Sequence, residues 1–100
     1  MAEPGRFDFD DLLMSRARLA ILSALLAPGE MEFTAVRDLL GLTQGNLSVH
    51  ALKLLEAGYL DVRKEFVDSK PRTTYRITDR GRSALITHLK RLKSILGDLA

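Results

Sequence analysis

The sequence predicts a mainly α-helical domain carrying one small β-hairpin, with terminal helices available for a subunit contact. Three observations point there. Two helical segments, residues 35–40 and 44–57, meet at a three-residue link containing Gly41. Two alternating, β-branched segments, residues 59–66 and 73–77, follow directly after Gly58. Aliphatic helical stretches, residues 10–26 and 79–99, flank the whole.

The size of the chain limits what these parts can do alone. One hundred residues make a single domain with a limited core of its own. Hydrophobic residues make up 46% of the chain and only six are aromatic, so most are aliphatic. Surplus aliphatic surface in so small a domain favours oligomerisation. The absence of cysteine excludes disulfides, thiolate metal sites and thiol redox sensing. The first residues, MAEPGRFDFDD, lack the basic and apolar regions of a signal peptide, and no apolar run reaches the roughly 18 residues of a membrane span. A cytoplasmic protein without a membrane partner is expected.

Net charge is +2, but unevenly spread: −3 over residues 1–42, +3 over 43–82 and +2 over 83–100. Positive charge therefore collects on the second helix of the pair and on the hairpin.

Each element has its own signals. Residues 1–9 read as a flexible N-terminus, with Pro4 and Gly5 adjacent. The pattern then turns helical from about Asp10 to Leu26, where Ala27, Pro28 and Gly29 end it. Between Leu19 and Leu26 only Ser23 is polar, so this helix is buried on more than one side. Residues 30–33 alternate and suit a short edge strand. Thr34 offers an N-cap for the helix at 35–40, whose apolar face is Val36, Leu39 and Leu40, and Gly41 ends it in the left-handed conformation. Thr43 caps the next helix, and the pair has the spacing of a helix-turn-helix. In that second helix Leu47, Ala51, Leu54 and Leu55 face the core, while Gln44, Asn46, Val49, His50 and Lys53 face away.

The hairpin spans residues 59–78 as a wing. Leu60, Val62 and Lys64 share one face of its first strand, and a loop at 67–72 connects it to the second. Thr78 and Asp79 open the last helix, a cap followed by an acid suited to the helix dipole. Its Leu85, Leu89, Leu92, Leu96 and Leu99 follow the a/d spacing of a coiled-coil seam, widened by Ile86 and Ile95. With Leu12, Leu19 and Leu22 of the first helix, these leucines are the candidate dimer interface.

The chemistry these residues offer is recognition. Gln44, Asn46 and Ser48 cluster at a helix start, where amides pair with adenine N6 and N7 in a major groove. Gly45 lets the helix end approach closely, Val49 suits a thymine methyl, and Thr43, His50 and Lys53 suit phosphate. In the wing, Arg63, Lys64, Lys70, Arg72 and Arg76 suit phosphate contact and insertion of Arg into a narrow minor groove, with Asp68 placed to orient Arg72. Catalysis finds no comparable grouping. Asp8, Asp10 and Asp11 read as a capping region, Ser48 and His50 diverge at two residues apart, and no Gly-rich phosphate loop exists. The chain is read as no enzyme. Two isolated histidines argue against a transition-metal site, and no cofactor is expected.

The strings RLAILSALL, FTAVRDLLGLTQGNLSVH, LLEAGYL and PRTTYRITDRGR resemble the compact winged helix-turn-helix transcriptional regulators of the MarR and ArsR families, over about residues 15–90. The resemblance implies a recognition helix at 43–57 in the major groove, a wing over the flanking minor groove, and terminal helices building a homodimer. It does not carry over metal sensing, whose thiol ligands are absent. A small-molecule effector is compatible with the resemblance but unsupported, since the terminal helices are shorter than those framing effector pockets in MarR proteins. The expected function is sequence-specific binding of double-stranded DNA by a homodimer, as a repressor, on a pseudo-palindromic operator. The competing reading is a winged-helix protein-interaction module. Positive charge on the recognition and wing segments disfavours it.

Overall fold

The computed structural model describes residues 9–99, with side chains for 9–97. The flexible segment expected at 1–9 falls almost wholly outside the described residues, as do Asp8 and the side chain of Leu99. A short 3-10 turn, Asp11–Met14, precedes helix α1 (Arg16–Leu26) and strand β1 (Glu30–Glu32). Helices α2 (Phe33–Leu40) and α3 (Gln44–Glu56) come next. Strands β2 (Leu60–Val67) and β3 (Lys70–Ile77) lead to helix α4 (Asp79–Leu99). The expected mainly α architecture with a hairpin is present, and β1 completes an antiparallel sheet in the order β1-β3-β2.

Three boundaries differ from the sequence expectation. The helix expected over residues 10–26 is broken at Ser15, whose backbone is extended (φ −96, ψ 127). Each of the two resulting pieces has its own N-cap. The Asp10 carboxylate accepts the Leu12 N–H at 3.0 Å, and the Ser15 hydroxyl accepts the Arg18 N–H at 3.3 Å. Helix α2 begins at Phe33, so Thr34 lies inside its first turn and Glu32 occupies the cap position without a side-chain bond. Starting early seats Phe33 against Tyr75, with ring centroids 5.9 Å apart.

The third correction concerns the wing tip. In place of a loop over 67–72, Val67 pairs with Lys70 across a two-residue turn. Asp68 (φ 51) and Ser69 (φ 64) both occupy the left-handed region, which is the signature of a type I′ turn and matches the strand twist. Pro71 therefore lies within β3, opposite Phe66. Val67 and Lys70, which flank the turn, form a hydrogen-bonded pair, so the next pair, Phe66 and Pro71, exchanges no backbone hydrogen bonds and the missing N–H of proline costs nothing there. Glycine suits the Ser69 conformation better than serine. Ser69→Gly is expected to stabilise the domain by about 0.5 kcal/mol, read by urea denaturation at constant m-value. An unchanged or lower midpoint would contradict the turn assignment.

The core gathers around α1, where Ile21, Leu22 and Leu25 are fully enclosed. Leu13 of the 3-10 turn, Val36 of α2, Leu47, Ala51 and Leu54 of α3, Tyr59 ahead of β2, Leu60, Tyr75 and Ile77 of the sheet, and Leu85 of α4 complete it. Leu22 and Leu85, expected in the dimer interface, are thus core residues with no surface to offer a partner. The wide apolar stripe that suggested a subunit contact is used up by its own domain at those positions. Leu12 and Leu19 are partly buried against the same core.

Helix α4 does not stay on that core. At 1.5 Å per residue its 21 residues run about 31 Å. The molecule accordingly measures 53 × 29 × 23 Å, with a radius of gyration of 15.2 Å against about 13 Å for a compact chain of this length. Beyond Leu85 and the buried His88, α4 exposes Leu89 (42%) and Leu96 (65%), while Leu92 is half-buried.

Candidate nucleic-acid interface

Helix α3 is set by its two ends. At its start the Thr43 hydroxyl accepts the Asn46 N–H at 3.1 Å. At its finish the Gly58 N–H donates to Leu55 O (3.0 Å) and the Tyr59 N–H to Leu54 O (2.9 Å), the paired bonds of a Schellman stop. Gly58 takes φ +80 there, which also turns the chain straight into β2. Between these ends Leu47, Ala51 and Leu54 are buried, which forces the opposite side of α3 outward. Thr43, Gln44, Gly45, Asn46, Ser48, Val49 and Lys53 are all exposed there. A Cβ at Gly45 would have nothing within 4 Å, so the fold itself makes no demand for glycine at that position.

His50 stands apart from this exposed group. It is half-buried, and its Nδ1 lies 3.0 Å from Arg18 Nη1. A guanidinium can only donate, so Nδ1 accepts and Nε2 carries the ring proton. Burial first, then the charges of Arg18 and Lys53, holds the imidazole below its ordinary pKa. Arg18 is fixed in turn by donating from Nε to the Leu12 carbonyl at 2.7 Å. The 3-10 turn ahead of α1 is thereby tied to α3. Next to it, the Tyr59 hydroxyl donates to the Asp10 carboxylate. Burial, reinforced by that bond and by the Asp10 charge, pushes the phenol up to about 12.

The sheet has two unlike faces. Strand alternation and register put Leu60, Val62, Lys64 and Phe66 on one face with Ile77, Tyr75, Thr73 and Pro71. This inner face meets α3 in a cleft of about 210 Å³ lined by Phe33, Gln44, Ser48, Lys64, Thr73 and Tyr75. On the outer face, Arg63 Nη2 bonds Glu30 at 2.9 Å and its Nε lies 3.6 Å from Glu65. There too Arg76 bonds Asp61 at 2.7 Å, and Arg72 Nε lies 3.5 Å from Glu32. The hydrogen bond from Arg63 to Glu30, and from Arg76 to Asp61, raises the pKa of each guanidinium. With Lys70, which the register puts on the same face, four cations stand against four carboxylates and leave that face without a positive surplus. Asp68, expected to orient Arg72, sits in the turn while Glu32 takes that position.

Residues 17–96 match the winged helix DNA-binding domain family. The chain belongs to that family. A curated protein of Methanocaldococcus jannaschii, itself uncharacterised, is 33% identical over 75 residues, covering 75% of this chain and 82% of its own. The solved structure of a transcriptional regulator homologue from Pyrococcus horikoshii superimposes with a TM-score of 0.84 at 33% identity, over 88% of this chain and 87% of that one. The transcriptional regulator Tm0710 of Thermotoga maritima shares the fold, with a TM-score of 0.68 at 21% identity over 90% of this chain and 66% of its own. The winged-helix protein is accordingly a DNA-binding transcriptional regulator of compact form.

Within the winged-helix frame, α2 and α3 are the helix-turn-helix and β2–β3 the wing. The structure brings Thr43, Gln44, Gly45, Asn46, Ser48, Val49 and Lys53 onto one surface, with His50 at its edge. Lys70 flanks the wing turn, while Arg63, Arg72 and Arg76 lie on the sheet face turned away from α3. Sequence reasoning left out two residues that the geometry singles out. Thr73 lines the cleft with Lys64, and its place opposite Lys64 in the hairpin was the signal that would have placed it. Arg18 has no such signal, because it meets His50 across 32 residues of chain. Among the described residues, no cluster of histidine, cysteine, aspartate or glutamate is arranged to hold a metal ion, and no helix is long and apolar enough to cross a membrane.

Proposed function

We propose that this winged-helix regulator binds double-stranded DNA sequence-specifically as a homodimer, on a pseudo-palindromic operator, and represses transcription. The observation that carries the reading is the cleft where Gln44 and Ser48 of α3 face Lys64 and Thr73 of the wing. Amide and hydroxyl groups at the helix start supply base contacts, and the wing supplies charge to the adjoining backbone. Asn46 and Val49 stand clear of the fold for an adenine edge and a thymine methyl. With glycine at position 45 the helix can approach the groove closely. Pairing of two chains through the exposed leucines of α4 would set two recognition helices about 34 Å apart, one turn of duplex. Repression then needs no further surface, since an occupied operator excludes other proteins.

Free cations carry salt dependence, and paired ones contribute less, because their partner must be displaced. Lys64 makes no ion pair among the described residues, whereas Arg63 is tied to Glu30 and Glu65. Lys64→Ala is expected to weaken binding to every duplex and to lower the slope of log affinity against log salt by about 0.9. Arg63→Ala should change that slope by less. Fluorescence anisotropy across a salt series reads both. Binding that ignores salt, or no binding to any duplex, would overturn the reading and favour a protein-interaction module.

A further inference from the structure

Among the described residues, the most exposed large hydrophobic side chain is Phe66, at 77%. Core formation does not explain it, since Phe66 is absent from the buried cluster and from the apolar residues packed on it. Its place in the hairpin does suggest a use. Phe66 lies on the sheet face that carries Lys64 and Thr73, two residues beyond Lys64 and so about 7 Å further from the cleft. Directly across from it is Pro71, also exposed. In a pair of this kind the side chains stand closest together, so ring and pyrrolidine form one apolar edge. Lys64 lies behind that edge on the same face, Lys70 flanks the turn on the opposite face, and the acids of this stretch are Glu65, also on the opposite face, and Asp68 in the turn. The tight turn at Asp68 and Ser69 keeps this tip short and rigid.

We infer that the Phe66–Pro71 edge is an apolar wedge that enters the minor groove and partly unstacks a base step. The inference rests on the DNA-binding reading above. An apolar edge at the hairpin tip with Lys64 behind it on the same face fits a groove whose floor is stacked bases and whose walls are phosphates. A second copy of the chain is a poorer match, because the patch is one ring wide and Lys64 beside it would need a carboxylate partner. Flexible pyrimidine–purine steps deform most easily, so the wedge would favour operators with such a step in the flank. Sequence preference would then extend to base pairs that α3 never touches.

The test uses the full chain and a duplex of about 30 base pairs, selected from a random pool by the unmodified protein. One copy carries 2-aminopurine at each flanking step in turn, and another carries a fluorophore pair at its ends. The unmodified protein is expected to brighten 2-aminopurine at one step per half-site and to shorten the end-to-end distance. Phe66→Ala should lose both signals and about ten-fold in affinity, with the salt slope unchanged because no charge is removed. Phe66→Leu should keep them in large part. An exposed side chain makes misfolding of either variant improbable, and circular dichroism checks it directly. Tight binding by Phe66→Ala with the same brightening and bend would overturn the wedge while leaving the DNA-binding reading intact. Failure of the unmodified protein to select any duplex would overturn both.

Discussion

Gly81→Ala is expected to cost the domain about 2 kcal/mol, and to lower its melting temperature by roughly 10 °C. A Cβ at this position would stand 2.3 Å from the Tyr59 carbonyl oxygen, 3.0 Å from its carbon and 3.1 Å from Ile77 Cγ1. The obstacle is backbone, and it is held. The Tyr59 carbonyl accepts the Thr78 N–H at 3.1 Å. The Thr78 hydroxyl donates to the Gly58 carbonyl at 2.6 Å and accepts the Gly81 N–H at 3.0 Å. Moving α4 outward to admit a methyl would break this cap and pull Leu85 from the core. Overpacking of this kind costs about 1–3 kcal/mol and can exceed that. The intrinsic preference of a helix for alanine over glycine returns at most about 1 kcal/mol. The steric term therefore wins. Gly97→Ala is the control, for a Cβ there meets nothing within 4 Å and the same chemical change should be neutral or slightly stabilising. Thermal denaturation followed by circular dichroism decides. Equal melting temperatures for Gly81→Ala and the unmodified protein would show that α4 is not seated as described.

The contrast between those glycines shows what the sequence carries and what it withholds. Gly41 and Gly58 were legible as helix stops, because the left-handed conformation at a helix end is a local demand. Gly81 gave no such sign, since its neighbour is a carbonyl 22 residues earlier in the chain. The same division runs through the interface. Burial of Leu47, Ala51 and Leu54 follows from helical periodicity, so the exposed face of α3 could be read directly. Wing residues could be assigned to a strand, but charge alone did not say which face each occupied. Alternation from Leu60 puts Lys64 with Leu60 and Val62, and so sends Arg63 to the other side, among the acids of β1 and β2. Those acids are invisible as partners until β1 pairs with β3, because Glu30 lies 33 residues from Arg63. The leucine spacing of α4 was correct as a pattern yet served two purposes. Leu85 closes the core, and the later leucines project past it.

That projection leads to the other large expected effect. Replacing Leu89 and Leu96 together with glutamate is expected to separate the proposed dimer and to weaken binding to the selected duplex by about 10²- to 10⁴-fold. Neither side chain belongs to the core, at 42% and 65% exposed, so the folded domain should keep its stability to within about 0.5 kcal/mol. The loss would arise elsewhere. One recognition helix reaches only a few base pairs, and a lone domain holds its half-site with half of the phosphate contacts. Joining two domains makes the second half-site an intramolecular event, so affinity rises without any new contact to DNA. Two carboxylates placed in an apolar seam would have to be desolvated beside their own symmetry mates, and association would become unfavourable. Light scattering should report a mass near 11.1 kDa for the double variant and about twice that for the unmodified chain. Footprinting should shrink from two half-sites to one at matched protein excess. A double variant that stays dimeric and still protects both half-sites would move the subunit contact to Leu12, Leu19 and the exposed Met14, at the opposite end of the chain. Because Arg18 clamps Leu12 to His50, an interface there would act on the recognition helix directly, and the two arrangements differ in whether dimerisation alone repositions α3.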